Sequence, residues 1–162
     1  MSDVAARKIG GLAREAGTEA VWRQWASLGA SALHGQKDNA RAIVDPEALV
    51  LMSLYLEPTE RRLRDFTRWW AEVGSELLSV QRTKTLLKRF PSEAEERLGM
   101  FARWAVESGD KRWRRYVPDG SKAGTSRGSA DRGGKGADRP RLHVPPALML
   151  RLRAGFGVSA KA

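Results

Sequence analysis

The chain has 162 residues, 41% of them hydrophobic, which suits one domain with a real core, or one domain plus appendages. It contains no cysteine, which excludes disulfides, thiol chemistry and thiolate metal sites, and only His34 and His143 can supply imidazole. The net charge of +10 is unevenly placed: residues 110–162 hold 13 Lys and Arg against 4 Asp and Glu, whereas residues 1–109 hold 16 against 15.

Such asymmetry points to a basic end that seeks a polyanion or, on the plainer reading, to a solubilising tail. The 21 Arg against 8 Lys hint at a GC-rich genome. The N-terminus lacks the apolar run of a signal peptide, and no stretch of about 18 apolar residues is present to span a membrane. The expectation is a cytoplasmic protein with no membrane partner. With two histidines, a metal site would need carboxylates, and no paired carboxylate motif occurs, so no metal or cofactor is expected.

No segment reads as a strand, because apolar residues recur at helical spacing throughout. Val21, Trp25, Leu28 and Ala32 fall on one face, flanked by Trp22 and Leu33. Gly10, Gly11, Gly17 and Gly29 interrupt this pattern, so residues 1–40 are expected to form an N-terminal segment of two helices of modest stability, with a polar loop at 35–39.

The run DPEALVLMSLYLEP has Asp45 as N-cap, Pro46 at the first helical position and Pro58 as the stop. Its apolar residues cover every side, which predicts a buried central helix. Thr59 is a candidate cap for the next helix, where Leu63, Phe66, Trp70, Val73 and Leu77 make a stripe and Trp69 lies beside it. A core role for the Trp69–Trp70 pair outweighs a ligand box. Arg61–Asp65 and Arg68–Glu72 are spaced for exposed i,i+4 pairs.

In SVQRTKTLLKRFP, Ser79 caps a helix that Pro91 ends. Val80, Thr83, Leu86, Leu87 and Phe90 face inward, and Gln81, Arg82, Lys84, Thr85, Lys88 and Arg89 face outward, with no acid from Val80 to Phe90. Ser92 and Glu95 match the capping box, and Ala94, Leu98, Phe101 and Ala105 form the inner side of the helix they start. Gly109 ends that helix and Asp110 caps a short one, GDKRWRRYV. There Trp113, Tyr116 and Val117 cluster on one side, and Lys111, Arg112, Arg114 and Arg115 on the other. Rings and charges that segregate in this way suit a docked amphipathic turn better than a base-stacking platform.

From 118 to 141 the chain is rich in Gly, Ser and charge and is expected to be a flexible linker. Two stretches in it imitate catalytic motifs. GSKAGTSRGSAD resembles a nucleotidyltransferase loop but lacks its D-x-D carboxylates, and DRGGKG fails the phosphate-loop pattern at Ser129 and Gly136. No other catalytic signature is present, so no enzyme activity and no small-molecule substrate are expected. In residues 142–162, Pro146 suits a helix start, Leu148, Met149 and Leu152 give an apolar side, and Ser159 resembles a further cap near the chain's end.

VDPEALVLMSLYLEPTERRLRDFTRWWAEVGSELLSVQRTKTLLKRFP, together with VPPALMLRLRAGFGVSAKA, resembles the N-terminal half of bacterial winged-helix, regulator-like proteins of the AbiEi antitoxin type. The resemblance implies a helical accessory domain, with GVSAKA leading into a DNA-binding region that this sequence lacks, and it implies no catalytic residues.

The expected fold is thus all-α: a compact bundle of five or six helices with its core at 44–117, then a basic linker at 118–141 and a terminal helix within 142–162, the possible start of a further module. The favoured partner is duplex DNA. A helix that enters the major groove needs long polar side chains to read base edges, preferably after a supporting helix and a turn. Gln81, Arg82, Thr85, Lys88 and Arg89 have this chemistry, and Lys111, Arg112, Arg114 and Arg115 have that of phosphate contacts. The alternative is a helical module for a protein partner, with the charge serving solubility.

Overall fold

The computed structural model describes residues 3–28, 43–118 and 142–157. Among these residues it is all-helical: α1 (Asp3–Ser27), α2 (Pro46–Leu56), α3 (Arg62–Val73), α4 (Val80–Leu87), α5 (Ser92–Glu107) and α6 (Leu148–Phe156), with 3-10 turns at Ser75–Leu77, Lys111–Tyr116 and Pro145–Ala147 and no strand. The expected loop at 35–39, the linker from 119 and the Ser159 cap lie outside the described residues.

The hub is α2. Asp45 caps it by accepting from the Ala48 N–H at 3.1 Å, and Pro46 occupies its first turn. Every residue of α2 is buried or half-buried, and α1, α3, α4 and α5 all pack against it. Burial on all sides follows from an apolar surface that has no polar stripe to turn to water.

Of the two helices expected in residues 1–40, the described residues hold α1, which runs unbroken across Gly10, Gly11 and Gly17; Gly29 and the rest of 29–40 lie outside them. Glycine lowers helix propensity by about 1 kcal/mol relative to alanine but does not itself stop a helix. No proline or cap intervenes, and the C-terminal part is held by packing: Val21, Trp25 and Leu28 are buried, while residues 10–16 are exposed. Trp25 donates to Ser53 Oγ at 2.9 Å, joining α1 to α2. Trp25 also meets Trp70 and Trp69 edge-on, at 5.4 and 6.3 Å between centroids, which puts that pair in the core.

Two capping expectations and one ion pair differ. Thr59 does not cap α3; its hydroxyl donates back to Leu56 O, and α3 begins after Arg61 without a side-chain cap. Arg61 therefore lies before the helix. Arg68 pairs with Glu72 at 3.1 Å, whereas Arg61 makes no ion pair with Asp65 among the described residues. The Ser92–Glu95 capping box does not form, because Pro91 takes the N-cap place and moves Ser92 into the first turn, where its hydroxyl lies near Glu93. By contrast Ser79 caps α4 through the Arg82 N–H, and Asp110 caps the 3-10 turn through the Arg112 N–H, both at 3.2 Å.

The segment from Leu142 to Gly157 packs on this core. Val44 N–H donates to Pro146 O at 2.9 Å, and Ala147 and Leu150 are buried. The apolar side predicted for α6 is therefore rotated: Leu150 points inward, and Leu152 is exposed.

Candidate nucleic-acid interface

Two short cationic segments stand out, α4 and the 3-10 turn Lys111–Tyr116. α4 ends at Leu87, earlier than the predicted Phe90, so it presents about two turns and 12 Å of helix. Val80, Thr83 and Leu87 are buried, and Gln81, Arg82, Lys84, Thr85, Lys88 and Arg89 are all exposed, as their spacing predicts. Thr85 Oγ1 donates back to Gln81 O at 3.1 Å, so its hydroxyl is partly committed within the helix.

The 3-10 turn carries its rings inward. Trp113 is fully buried, 5.1 Å from Phe101 and nearly perpendicular to it, and Tyr116 is half-buried beside Trp113. Burial, the largest influence, pushes the Tyr116 hydroxyl above its ordinary value against the lowering effect of Arg115. Lys111, Arg114 and Arg115 are exposed, with the Arg115 guanidinium 5.8 Å from the Tyr116 ring centre.

Two of the nine predicted contact residues have other work. Arg82 pairs with Asp45, and its Nε lies 3.5 Å from Glu47. Arg112 forks onto Asp110, with Nε donating at 2.8 Å and a terminal nitrogen at 2.6 Å, and it also donates to Ser75 O at 3.1 Å. Burial raises both Asp45 and Asp110, but the arginine hydrogen bonds and charges, with the capping N–H groups, outweigh it and hold both carboxyls below their usual 3.8. Sequence spacing could not separate Arg82 from its neighbours, since it is exposed on the helical wheel and finds its acids through the fold, whereas Arg112 finds Asp110 two residues away.

Ser75 and Leu78, the carbonyls that Arg112 approaches, immediately precede the Ser79 cap of α4. The two cationic segments therefore adjoin across one turn. Lys84, Lys88, Arg89, Lys111, Arg114 and Arg115 make no ion pair with another described residue, although the carboxylate of exposed Glu76 acts on Arg112 nearby. Lys84, outside the predicted contact set, shares the outer side of α4.

The helix-turn-helix outline fits only in order. α4 rests chiefly on α2 rather than on α3, and the connection from Gly74 to Ser79 holds its own 3-10 turn. The Gly74 position is tight: a Cβ there would lie 2.7 Å from the Trp70 ring.

Sequence reading missed a buried polar cluster beside α4. Glu47 is fully buried on α2, accepts the Ser79 N–H at 2.7 Å, and is gripped by both terminal nitrogens of Arg153 from α6. A signal was present: an acid inside a helix that is apolar all round must find a partner.

A small cleft of about 150 Å³ opens over this cluster, between Ile43, Met149 and the two arginines. A wider groove of about 670 Å³ runs between α1 and the α2–α3 turn, past Trp22, Glu15, Glu19 and Arg62. Its charges are mixed and Arg62 already covers the Trp22 ring, 5.1 Å from its centre. Among the described residues no three acidic or histidine side chains gather as a metal site, and no helix is long and apolar enough to cross a membrane. Compared with known proteins, the chain matches no protein family, no curated protein and no solved structure.

Proposed function

We propose that this protein binds nucleic acid, with duplex DNA favoured, as a cytoplasmic regulator-like or antitoxin-like protein that carries out no catalysis and needs no cofactor. One observation carries the reading: the exposed side of α4 bears cations and no acid, and it adjoins a second exposed cationic turn across Ser75–Leu78. Lys84, Lys88, Arg89, Lys111, Arg114 and Arg115 are the phosphate contacts in this reading. Gln81 and Thr85 are the side chains with the chemistry to touch base edges. Arg82 and Arg112, committed to carboxylates, hold the two segments rather than the ligand.

A second reading, a module for a protein partner, has its own observation. Leu152 and Phe156 lie one turn apart on α6 and are exposed, Phe156 at 76%.

The test is fluorescence anisotropy of a labelled random duplex against the full chain over a salt series. Six phosphate contacts predict an affinity that falls by about a thousandfold between about 50 and 200 mM salt, because each neutralised phosphate releases counterions. An absence of duplex binding at about 150 mM salt would overturn the reading and favour the protein partner.

A further inference from the structure

We infer that Arg153 is a positioning residue for the α4 surface: by bridging Glu47 and the turn before α4, it makes the geometry of that helix's first turn depend on α6 remaining docked. Its functional consequence rests on the nucleic-acid reading, but its structural core does not.

The chain of contacts is short. The N-terminal end of α4 is fixed at two points on its own backbone. Ser79 N–H donates to Glu47 Oε1 at 2.7 Å, and Arg82 N–H donates to Ser79 Oγ at 3.2 Å. Glu47 is fully buried, so its charge needs a counter-charge where it sits. Arg153 supplies one, with its side chain only 11% exposed and both terminal nitrogens on the carboxylate, and one of these also donates to Leu77 O at 3.0 Å. Arg82, from α4 itself, reaches Glu47 more loosely at 3.5 Å and is half-exposed. Glu47 thus meets α4 through Ser79 and Arg82, and α6 through Arg153.

Three features make this a coupling rather than an ordinary surface pair. The residues joined are 106 positions apart, so the contact exists only while α6 is seated. The 3-10 turn that leads into α6 has a second tie to the same place, the Val44 N–H to Pro146 O bond directly before the Asp45 cap of α2. Third, the fork is a shape requirement. A lysine would keep the charge, but a single ammonium does not reproduce the planar donors that reach both Glu47 oxygens and the Leu77 carbonyl together. Undocking α6 would leave the buried carboxylate to Arg82, drawing that side chain inward and loosening the turn that aligns Gln81, Lys84, Thr85 and Lys88.

Amide hydrogen exchange on the full chain without nucleic acid tests the coupling, with duplex anisotropy as a separate readout. Arg153→Lys keeps the net charge, and Glu47→Gln/Arg153→Met removes the buried charges while leaving an acceptor for the Ser79 N–H, so a folded chain is retained. Arg151→Lys on the exposed side of α6 is the control. Both Arg153 variants are expected to speed exchange at Ser79, Arg82 and Thr83 by about tenfold or more, with Ala102 and Ala105 in α5 and the Arg151 control unchanged. Arg153→Lys is also expected to weaken duplex binding although no charge is lost. Unchanged exchange at Ser79–Thr83 in both folded variants would overturn the inference. Faster exchange in chains that bind no duplex at all would uphold the clamp and refute the nucleic-acid reading.

Discussion

The two cationic segments are anchored by the same device at very different range. In each, the arginine nearest the start turns back onto a carboxylate and leaves the later cations in water. On the 3-10 turn, Arg112 finds Asp110 two residues away, and the same aspartate caps the turn. On α4, Arg82 finds Asp45 and Glu47, 37 and 35 residues away, and both lie in the first turn or cap of α2. Acids suit that place, since the N-terminus of a helix favours negative charge. The local anchor forms with its own turn. The distant one requires α2 and α4 to be packed together, so the orientation of α4 is a property of the fold and not of its own turn.

The contrast should break most visibly at its acids. Glu47→Ala strands a nearly buried arginine and the Ser79 N–H, and a loss of about 3–5 kcal/mol in urea denaturation is expected. Asp110→Ala should cost less, about 0.5–2 kcal/mol, because it removes a cap while Arg112, 42% exposed, can turn to water. Equal losses would mean that burial of the partner does not matter.

Gly74→Ala tests the turn that both segments share. The added methyl must push the fully buried Trp70 ring, so a loss of about 1–3 kcal/mol is expected in the same assay. Acid titration sharpens the comparison further. Asp45 and Asp110 both have folded values below 3.8, so each contributes stability above that pH, and the contribution is lost as pH falls through the lowered value. Thermal melts between about pH 5 and 2 should show part of this acid dependence vanish in Arg82→Ala and a separate part in Arg112→Ala. The smallest effects belong to the outward cations: Lys88→Ala and Arg114→Ala should stay within about 0.5 kcal/mol of the parent.

Range also explains what was legible in the sequence. The caps at Asp45, Ser79 and Asp110 were readable because each partner lies two or three residues downstream. The buried α2 and the outer side of α4 followed from periodicity. Gly10, Gly11 and Gly17 do not stop α1, because propensity alone is a weak term and no proline or cap intervenes. At Ser92, proline one position earlier shifted the helix start by a residue, and the capping pattern lost its geometry. The roles of Arg82 and Arg153 needed the fold, because on a helical wheel a structural arginine and a ligand-binding one look alike. Glu47 and Arg153, each set among apolar neighbours, carried the one available hint of a partnership.

The most direct test of the central claim is the salt slope of duplex binding for three full-length proteins: the parent, Lys84→Gln/Lys88→Gln/Arg89→Gln, and Lys111→Gln/Arg114→Gln/Arg115→Gln. If the two segments form one phosphate-binding surface, each triple variant binds more weakly, and its slope of log affinity against log salt is shallower by about 2.7, or about 0.9 per lost contact. Two slopes identical to that of the parent would contradict the claim and assign any binding to other parts of the chain.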